Sequence, residues 1–223
     1  MIFTIPIADR DKMAAFFIGR IPDLKLPPDR KEALATVAPL HEKILKKLYE
    51  PFSFSTQIPF VTAEQIHGSE VALVKPPFSE RMKITGVDGL ITTHQDVILG
   101  IMVADCAPVW IVEKTGKIGA LLHSGKRGTE AGIVQKTIVR ITQEFQIPPE
   151  DLIVTIGPCI RPPCYEIDFA QTIREQASAL GVTMIHDEKI CTACHPDRYY
   201  SYRREKGQTG NMLATLMILP TSP

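Results

Sequence analysis

The sequence has no excess of charge of either sign. Its 25 lysine and arginine residues balance 25 aspartate and glutamate residues, and no block of like charge interrupts this balance. Proteins that bind nucleic acid or anionic membranes through a broad surface carry a basic excess. The composition therefore predicts neither kind of partner, and a bound anion has to be met by local groups.

Long hydrophobic runs and an export signal are also missing. The longest apolar run, 97–104, is far too short to span a bilayer. The N-terminal stretch MIFTIPIADRDK lacks a basic region and reaches Asp9 and Asp11 before an apolar core develops, unlike a signal peptide. Five cysteines in such a chain indicate free thiols or metal ligands rather than disulfides. We expect a cytoplasmic protein.

The sequence contains no internal repeat, low-complexity tract or linker, and 223 residues with 44% hydrophobic content suffice for one domain, 1–223. Helix formers dominate 28–49, where Pro39 predicts a break or a second helix start. Segments rich in β-branched and apolar residues predict strands at 71–74, 87–92, 97–103, 109–113, 118–122 and 152–156.

Helical periodicity follows the strand-rich middle of the chain. Val134, Ile138, Ile141 and Phe145 form the stripe of an amphipathic helix. A further helix is expected over 168–180, with Asp168 as N-cap and Gly181 as its stop, whereas 212–219 fits a helix or a strand. Clustered strands with interspersed helices predict an α+β fold rather than a regular βαβ alternation.

The stretch LLHSGKRGTEAG at 121–132 joins an apolar run to a helix. It is not a nucleotide-binding P-loop, because five residues rather than four separate Gly119 from Gly125, and Arg127 stands where a hydroxyl is required. The stretch nevertheless has the features of a binding site for a phosphate or carboxylate. These are a strand end, small residues and a helix N-terminus with Arg127 nearby. A plain turn with solvated charges explains the stretch equally well.

Three residues of metal-binding type end or follow apolar runs beside small residues: His67, Cys106 and His123. Three ligands of this kind match a catalytic zinc site, whose fourth position is left to water or substrate. Their spacing satisfies no local motif, and Cys106 with a histidine base also fits a nucleophile. The residues alone leave both alternatives open.

The remaining cysteines include the most metal-like local spacing in the chain, Cys191-x-x-Cys194-His195. Together with Cys159 and Cys164 they could build a structural zinc site. We favour small buried thiols instead, because Cys159 and Cys164 form a loose pair in a loop that its prolines already restrict.

Six short blocks make most of the chain, about 58–213, resemble the YfiH/YlmD family, known both as a laccase-like polyphenol oxidase domain and as purine nucleoside phosphorylase. The blocks are QIHGSEV (65–71), DGLIT (88–92), ADCAPV (104–109), HSGKRGTEAGI (123–133), IGPCIRPPCYEI (156–167) and CTACHPDRYYSYRREKGQTG (191–210). The resemblance implies one domain in which mixed β-sheets pack in layers with helices, as in a cysteine-hydrolase-like fold.

The resemblance also implies chemistry. It aligns His67, Cys106 and His123 with zinc ligands, and it implies phosphorolysis of adenosine, inosine and 5′-methylthioadenosine together with deamination of adenosine. We expect Arg127 to orient phosphate, and Asp105 to orient a metal-bound histidine or to transfer protons. The substrate-binding residues expected alongside them are Gln65, Gly125 and Arg203.

The sequence departs from the family pattern at three places. Lys126 replaces an aromatic residue, Asn211 replaces an arginine, and the N-terminal segment 1–57 lacks the usual Gly-Gly-Val-Ser loop. Substrate contacts from that N-terminal segment therefore do not carry over, and a shifted specificity is expected.

Two other functions compete with phosphorolysis. A copper-dependent polyphenol oxidase is the first, although six scattered histidines cannot assemble the histidine-rich cluster of a multicopper oxidase, and copper would reach only the same open site. The second is a non-catalytic metal-bound module that binds a nucleoside or a protein. The expected partners are small molecules, a purine nucleoside and phosphate, and the sequence does not indicate an oligomeric state.

Overall fold

The computed structural model describes residues 2–5, 12–52 and 58–220. Asp9 and Asp11, which argued against a signal peptide, lie outside these ranges. Twelve strands occur within the described residues. Their bounds are β1 Ile2–Thr4, β2 Met13–Ile18, β3 Phe60–Ala63, β4 Val71–Leu73, β5 Arg81–Ile84, β6 Gly89–Thr92, β7 Ile98–Val103, β8 Ala107–Glu113, β9 Gly119–Ser124, β10 Leu152–Ile156, β11 Met184–Asp187 and β12 Met212–Ile218.

The strands form two six-stranded mixed sheets. The first sheet has the order β1-β2-β12-β7-β3-β5, and the second has the order β11-β10-β8-β9-β6-β4. Parallel pairs join β3 to β5 and β7 in the first sheet, and β10 to β11 and β4 to β6 in the second; the other pairs are antiparallel. The predicted α+β domain with mixed sheets in layers is confirmed.

The side chains of β8 point alternately to the two faces of the second sheet, which shows how the two sheets stack. Trp110 and Val112 point into the core shared with the first sheet, whereas Val109 and Ile111 point into a second core beneath helices. Successive side chains of a strand face opposite sides of its sheet, so a strand buried on both faces reads as a continuous apolar run. The indole Nε1–H of Trp110 also donates to the Thr215 carbonyl of β12 at 3.0 Å, which links the two sheets.

The described ranges contain four α-helices: α1 Arg30–Tyr49, α2 Lys126–Glu130, α3 Ile133–Phe145 and α4 Phe169–Ala179. Helix α1 covers the first sheet, while α3 and α4 cover the second. The predicted Asp168 N-cap is present, because its carboxylate accepts a hydrogen bond from the N–H of Gln171 at 3.0 Å. None of these helices combines the length and apolar character that a bilayer span requires.

The predicted break at Pro39 is wrong, since α1 runs through it. A proline inside a helix removes one backbone hydrogen bond, here the one to the carbonyl of Ala35. Ala35 and Pro39 both lie on the exposed side of α1, where water can satisfy that carbonyl. The opposite side, including Val37 and Leu45, is buried and holds the helix together through packing.

Candidate metal centre and cavity

Three predicted ligands converge at one end of the second sheet. Cys106 immediately precedes β8, His123 lies in β9, and His67 belongs to the loop between β3 and β4. The pairing of β8 with β9 sets Pro108 opposite His123, which brings Cys106 alongside the imidazole. The ligand atoms of the three residues all lie within 4.8 Å of one another. His123 is buried and His67 is exposed, so the group opens to solvent on one side.

Asp88, just before β6, organises two of these residues. Its Oδ1 accepts hydrogen bonds from the His123 ring at Nδ1 and from the backbone N–H of His67, both at 2.8 Å. Its Oδ2 accepts from the N–H of Gly68 at 2.7 Å. Because Nδ1 of His123 bonds to Asp88, Nε2 is the ring nitrogen that remains for a metal ion, an arrangement typical of metal-bound histidines.

Electrostatics favour an ionised group of side chains. Burial opposes ionisation of Asp88, but hydrogen bonds from His123, Gly68 and His67 outweigh it and lower the pKa of this carboxyl. Burial similarly opposes the Cys106 thiolate, yet hydrogen bonds with both histidines lower its pKa to about 7. Burial would lower the pKa of His123, but Asp88 and Cys106 raise it to about 9. The thiolate needed for metal binding is thus accessible near neutral pH.

Two backbone features shape the centre. His67 has a φ of 62° and Asp105 a φ of 88°, a left-handed conformation that non-glycine residues seldom adopt and that concentrates at functional sites. A Cβ on Gly125 would lie 2.5 Å from the Cys106 sulfur, so only glycine allows this approach. The predicted substrate residue Gly125 therefore makes room for a proposed ligand.

The three residues lie in the wall of a cavity of about 1000 Å³. Five basic side chains and two acidic ones line this cavity, although the chain as a whole is neutral. Three aromatic rings line it as well. The basic set is Arg30, Lys83, Lys126, Arg203 and Lys206, the acidic set is Glu64 and Asp105, and the aromatic set is Tyr165, Phe169 and Tyr202.

The two adjacent basic residues of the opening of α2 have different surroundings. Lys126 lines the cavity, whereas Arg127 is not among the lining residues and donates from its guanidinium to the Ile66 carbonyl at 3.1 Å. Helix α2 has only five residues, so its dipole adds little to anion binding. Of this adjacent pair, Lys126 is therefore the residue that faces the cavity.

The other predicted polar residues all line the cavity, but much of their bonding capacity is used. The carboxamide of Gln65 donates to the Met102 carbonyl and accepts from its N–H. The carboxylate of Asp105 accepts from the Thr192 hydroxyl at 2.6 Å and from the Arg203 N–H at 2.7 Å. The carboxylate that bonds to the His123 ring is that of Asp88, and the roles predicted for Asp105 stay predictions.

Sequence reasoning missed Asp88, Arg30 and Tyr165. A signal for Asp88 was present, since a lone carboxylate begins the apolar strand DGLIT and such a residue requires a partner when buried. No comparable signal marked the other two: Arg30 arrives from α1 and Tyr165 from an irregular segment.

Comparisons with known proteins identify the family of the chain. A family model described as multi-copper polyphenol oxidoreductase laccase matches residues 42–170 and 166–219. The purine nucleoside phosphorylase YlmD of Geobacillus stearothermophilus is 31% identical, with 70% of each chain covered. The protein of that name from Bacillus subtilis is 25% identical, with 82% of this chain and 81% of the relative covered.

Solved structures show the same fold. The crystal structure of YlmD from Geobacillus stearothermophilus superimposes with a TM-score of 0.76 at 26% identity, covering 94% of this chain and 93% of that one. The Neisseria meningitidis protein NMB0706 gives a TM-score of 0.78 at 18% identity, covering 98% and 99%.

Proposed function

Because the chain belongs to the family described as multi-copper polyphenol oxidoreductase laccase, in which its curated relatives are named purine nucleoside phosphorylases, we propose that it is a metal-dependent enzyme of that kind. The proposed substrates are phosphate and the nucleosides adenosine, inosine and 5′-methylthioadenosine. Deamination of adenosine is proposed as a side activity of the same site.

The donor set fits a zinc ion held by His67, Cys106 and His123. Imidazole and thiolate are ligands that zinc prefers, and three protein ligands leave a position open for chemistry. The contact between Asp88 and His123 supplies the carboxylate partner that such histidines usually have. Zn²⁺ at such a site supplies a Lewis acid and a bound water of lowered pKa, the second of which suits deamination.

The basic lining supports phosphate as co-substrate. Lys126 follows the strand that carries His123 and faces the cavity, and Lys83 and Lys206 also line the cavity and add positive charge to it. In phosphorolysis, a phosphate oxygen forms a bond to the anomeric carbon of the ribose while the bond from that carbon to the purine nitrogen breaks. We propose that Lys126 holds the attacking phosphate, in place of Arg127.

The aromatic lining supports a purine as the other substrate. Tyr165 and Phe169 meet edge to face with centroids 6.0 Å apart, and the exposed ring of Tyr202 stands beneath the Arg30 guanidinium at 5.0 Å. Planar bases stack on such rings. We assign Asp105 to positioning, because it anchors the backbone of Arg203, whose guanidinium lies 5.1 Å from the Tyr165 ring.

One observation carries the proposal: the His67, Cys106 and His123 group opens into a cavity that combines excess basic charge with aromatic rings. The test incubates the zinc-loaded protein with adenosine, with and without phosphate, and follows the products by chromatography. Adenine release that requires phosphate supports the proposal. Inosine as sole product would restrict it to deamination, and no turnover by metal-loaded protein contradicts it in favour of a binding module.

The same preparation tests the oxidase. Among the described residues, the groups of three or more metal-binding side chains contain no more than two histidines, those of the proposed zinc site. A multicopper oxidase needs a histidine-rich cluster in addition to its blue-copper site. Oxygen uptake with a phenol by copper-loaded protein would favour the oxidase over the phosphorylase.

A further inference from the structure

A second group of metal-binding side chains lies apart from the proposed zinc site. The sulfur atoms of Cys164, Cys191 and Cys194 all lie within 4.8 Å of one another, and those of Cys164 and Cys194 are 3.4 Å apart. All three are free thiols. We call this group the thiol cluster.

The predicted set of small buried thiols is therefore only partly correct. Cys159 and Cys191 are buried, but Cys164 is half-buried and Cys194 is exposed. Burial raises the pKa of Cys159 to about 12, which makes it an inert core thiol outside the cluster. A ligand set that combines buried and exposed thiols can be reached from solvent.

Two irregular segments meet at the thiol cluster. Cys164 lies in a turn closed by a hydrogen bond from the Tyr165 N–H to the Arg161 carbonyl at 3.1 Å. Cys191 precedes a single 3-10 turn, Thr192–Cys194, and Cys194 is the last residue of that turn. A parallel bridge between Cys159 and Cys191 aligns the two segments. The thiols converge because separate stretches of the backbone hold them in place.

The sulfur of Cys191 contacts the segment that carries Cys164. Its thiol donates a hydrogen bond to the Arg161 carbonyl, with 3.8 Å between sulfur and oxygen. A bound metal ion would replace the thiol proton, because the thiolate is the form that binds metal. The spacing Cys191-x-x-Cys194 lets one short turn present two sulfurs to one ion.

We propose that the thiol cluster binds a thiophilic metal ion, with Zn²⁺ as the ion to be tested. Soft thiolate ligands select zinc and monovalent copper over magnesium, calcium or manganese. The three sulfurs supply three positions, and the exposed side near Cys194 gives a water molecule access to a fourth. This site is independent of the proposed phosphorolysis.

A metal ion here would fix one wall of the cavity. Tyr165 follows Cys164 and lines the cavity, and Thr192 follows Cys191 and donates to Asp105 at 2.6 Å. The Ala193 carbonyl also accepts from the Arg204 guanidinium at 3.0 Å. A metal ion bound to the thiol cluster would join segment 161–165 to segment 191–194. It would thus restrain residues next to the proposed zinc site without contacting the ligands of that site.

The test counts metal ions in variants of the full chain. Each protein is purified with reductant and without oxygen, loaded with Zn²⁺, desalted and analysed for zinc by elemental mass spectrometry. We expect about two equivalents in the wild type, about one in Cys194→Ser, about one in His123→Ala, and almost none in the double variant. Cys159→Ser, which changes a thiol outside the cluster, should retain about two.

Cobalt provides a second readout that does not depend on activity. In the His123→Ala background, Co²⁺ should give sulfur-to-metal charge-transfer absorption that disappears on adding Cys194→Ser. About one equivalent of zinc in both wild type and Cys194→Ser would overturn the proposal. A disulfide between Cys164 and Cys194 in protein kept from oxygen, detected by peptide mass spectrometry, would overturn it as well.

Discussion

The buried Asp88 carboxylate and the buried His123 imidazole form a hydrogen bond of 2.8 Å between the residue that precedes β6 and the neighbouring strand β9. The same carboxylate receives the backbone N–H groups of His67 and Gly68. One side chain therefore fixes the ring of one proposed ligand and the loop that carries another.

Asp88→Asn should weaken zinc binding by about 10- to 100-fold, because the ring and the loop lose their ionised acceptor. The measurement is a competition titration against a chromogenic chelator. Glu113→Gln is the matched control, since Glu113 is another buried carboxylate, at the far end of β8. Equal zinc affinities in the two variants would rule out a positioning role for Asp88.

Gly125→Ala should weaken zinc binding on the order of 100-fold, because the added Cβ would lie 2.5 Å from the Cys106 sulfur and displace it. Gly68→Ala is the control in the same centre. Its added Cβ would approach Asp88 only to 3.4 Å, an ordinary contact, and its N–H remains. Elemental analysis and circular dichroism separate lost metal from lost fold. Full metal content in Gly125→Ala would contradict the role given to Cys106.

Lys126→Ala should raise the KM for phosphate about tenfold, equivalent to about 1.4 kcal/mol, as expected for loss of one partly solvated charged contact. Arg127→Ala should change this KM much less, because its guanidinium binds the Ile66 carbonyl. Steady-state kinetics at saturating nucleoside provide the comparison. The reverse ranking would restore Arg127 as the phosphate ligand.

His41 should make the fold sensitive to acid. His41 lies on the buried face of α1, and this burial lowers its pKa to about 4. The unfolded chain takes up the proton near pH 6.5 and the folded protein only near 4, so stability present at pH 7 is lost between those values.

Between pH 7 and pH 5 the expected contribution of His41 to this loss is about 2 kcal/mol. The free energy of unfolding is measured with denaturant for wild type and His41→Leu at both pH values. The difference between the two proteins isolates the contribution of His41, because the carboxylates titrate in both. Identical pH slopes would show that His41 does not contribute.

The sequence predicted those features that depend on local pattern. Apolar β-branched runs located most strands of the second sheet, and His67, Cys106 and His123 stood out because each ends or follows such a run. Strand β2 escaped because its six residues are buried on both faces and two are alanines, which leaves no alternation to read.

The features that could not be predicted depend on tertiary placement. Adjacent helical residues point about 100° apart, so the start of α2 decides that Lys126 rather than Arg127 faces the cavity. Lys126, which stands where the family has an aromatic residue, thus lies in the cavity wall. Arg30 reaches the cavity only because α1 packs across the first sheet, whose strands are in part far from α1 in the sequence.

Trp110 is the only tryptophan of the chain, and its ring is fully buried between the two sheets. Its indole ring would lie only 2.8 Å from a Cβ on Gly157, at the start of the segment that leads to Cys164. The tryptophan emission of the protein therefore comes from one place in the fold. Separation of the sheets or loosening of that segment would change the wavelength and intensity of the Trp110 emission. Fluorescence of the unlabelled protein therefore reports on both movements.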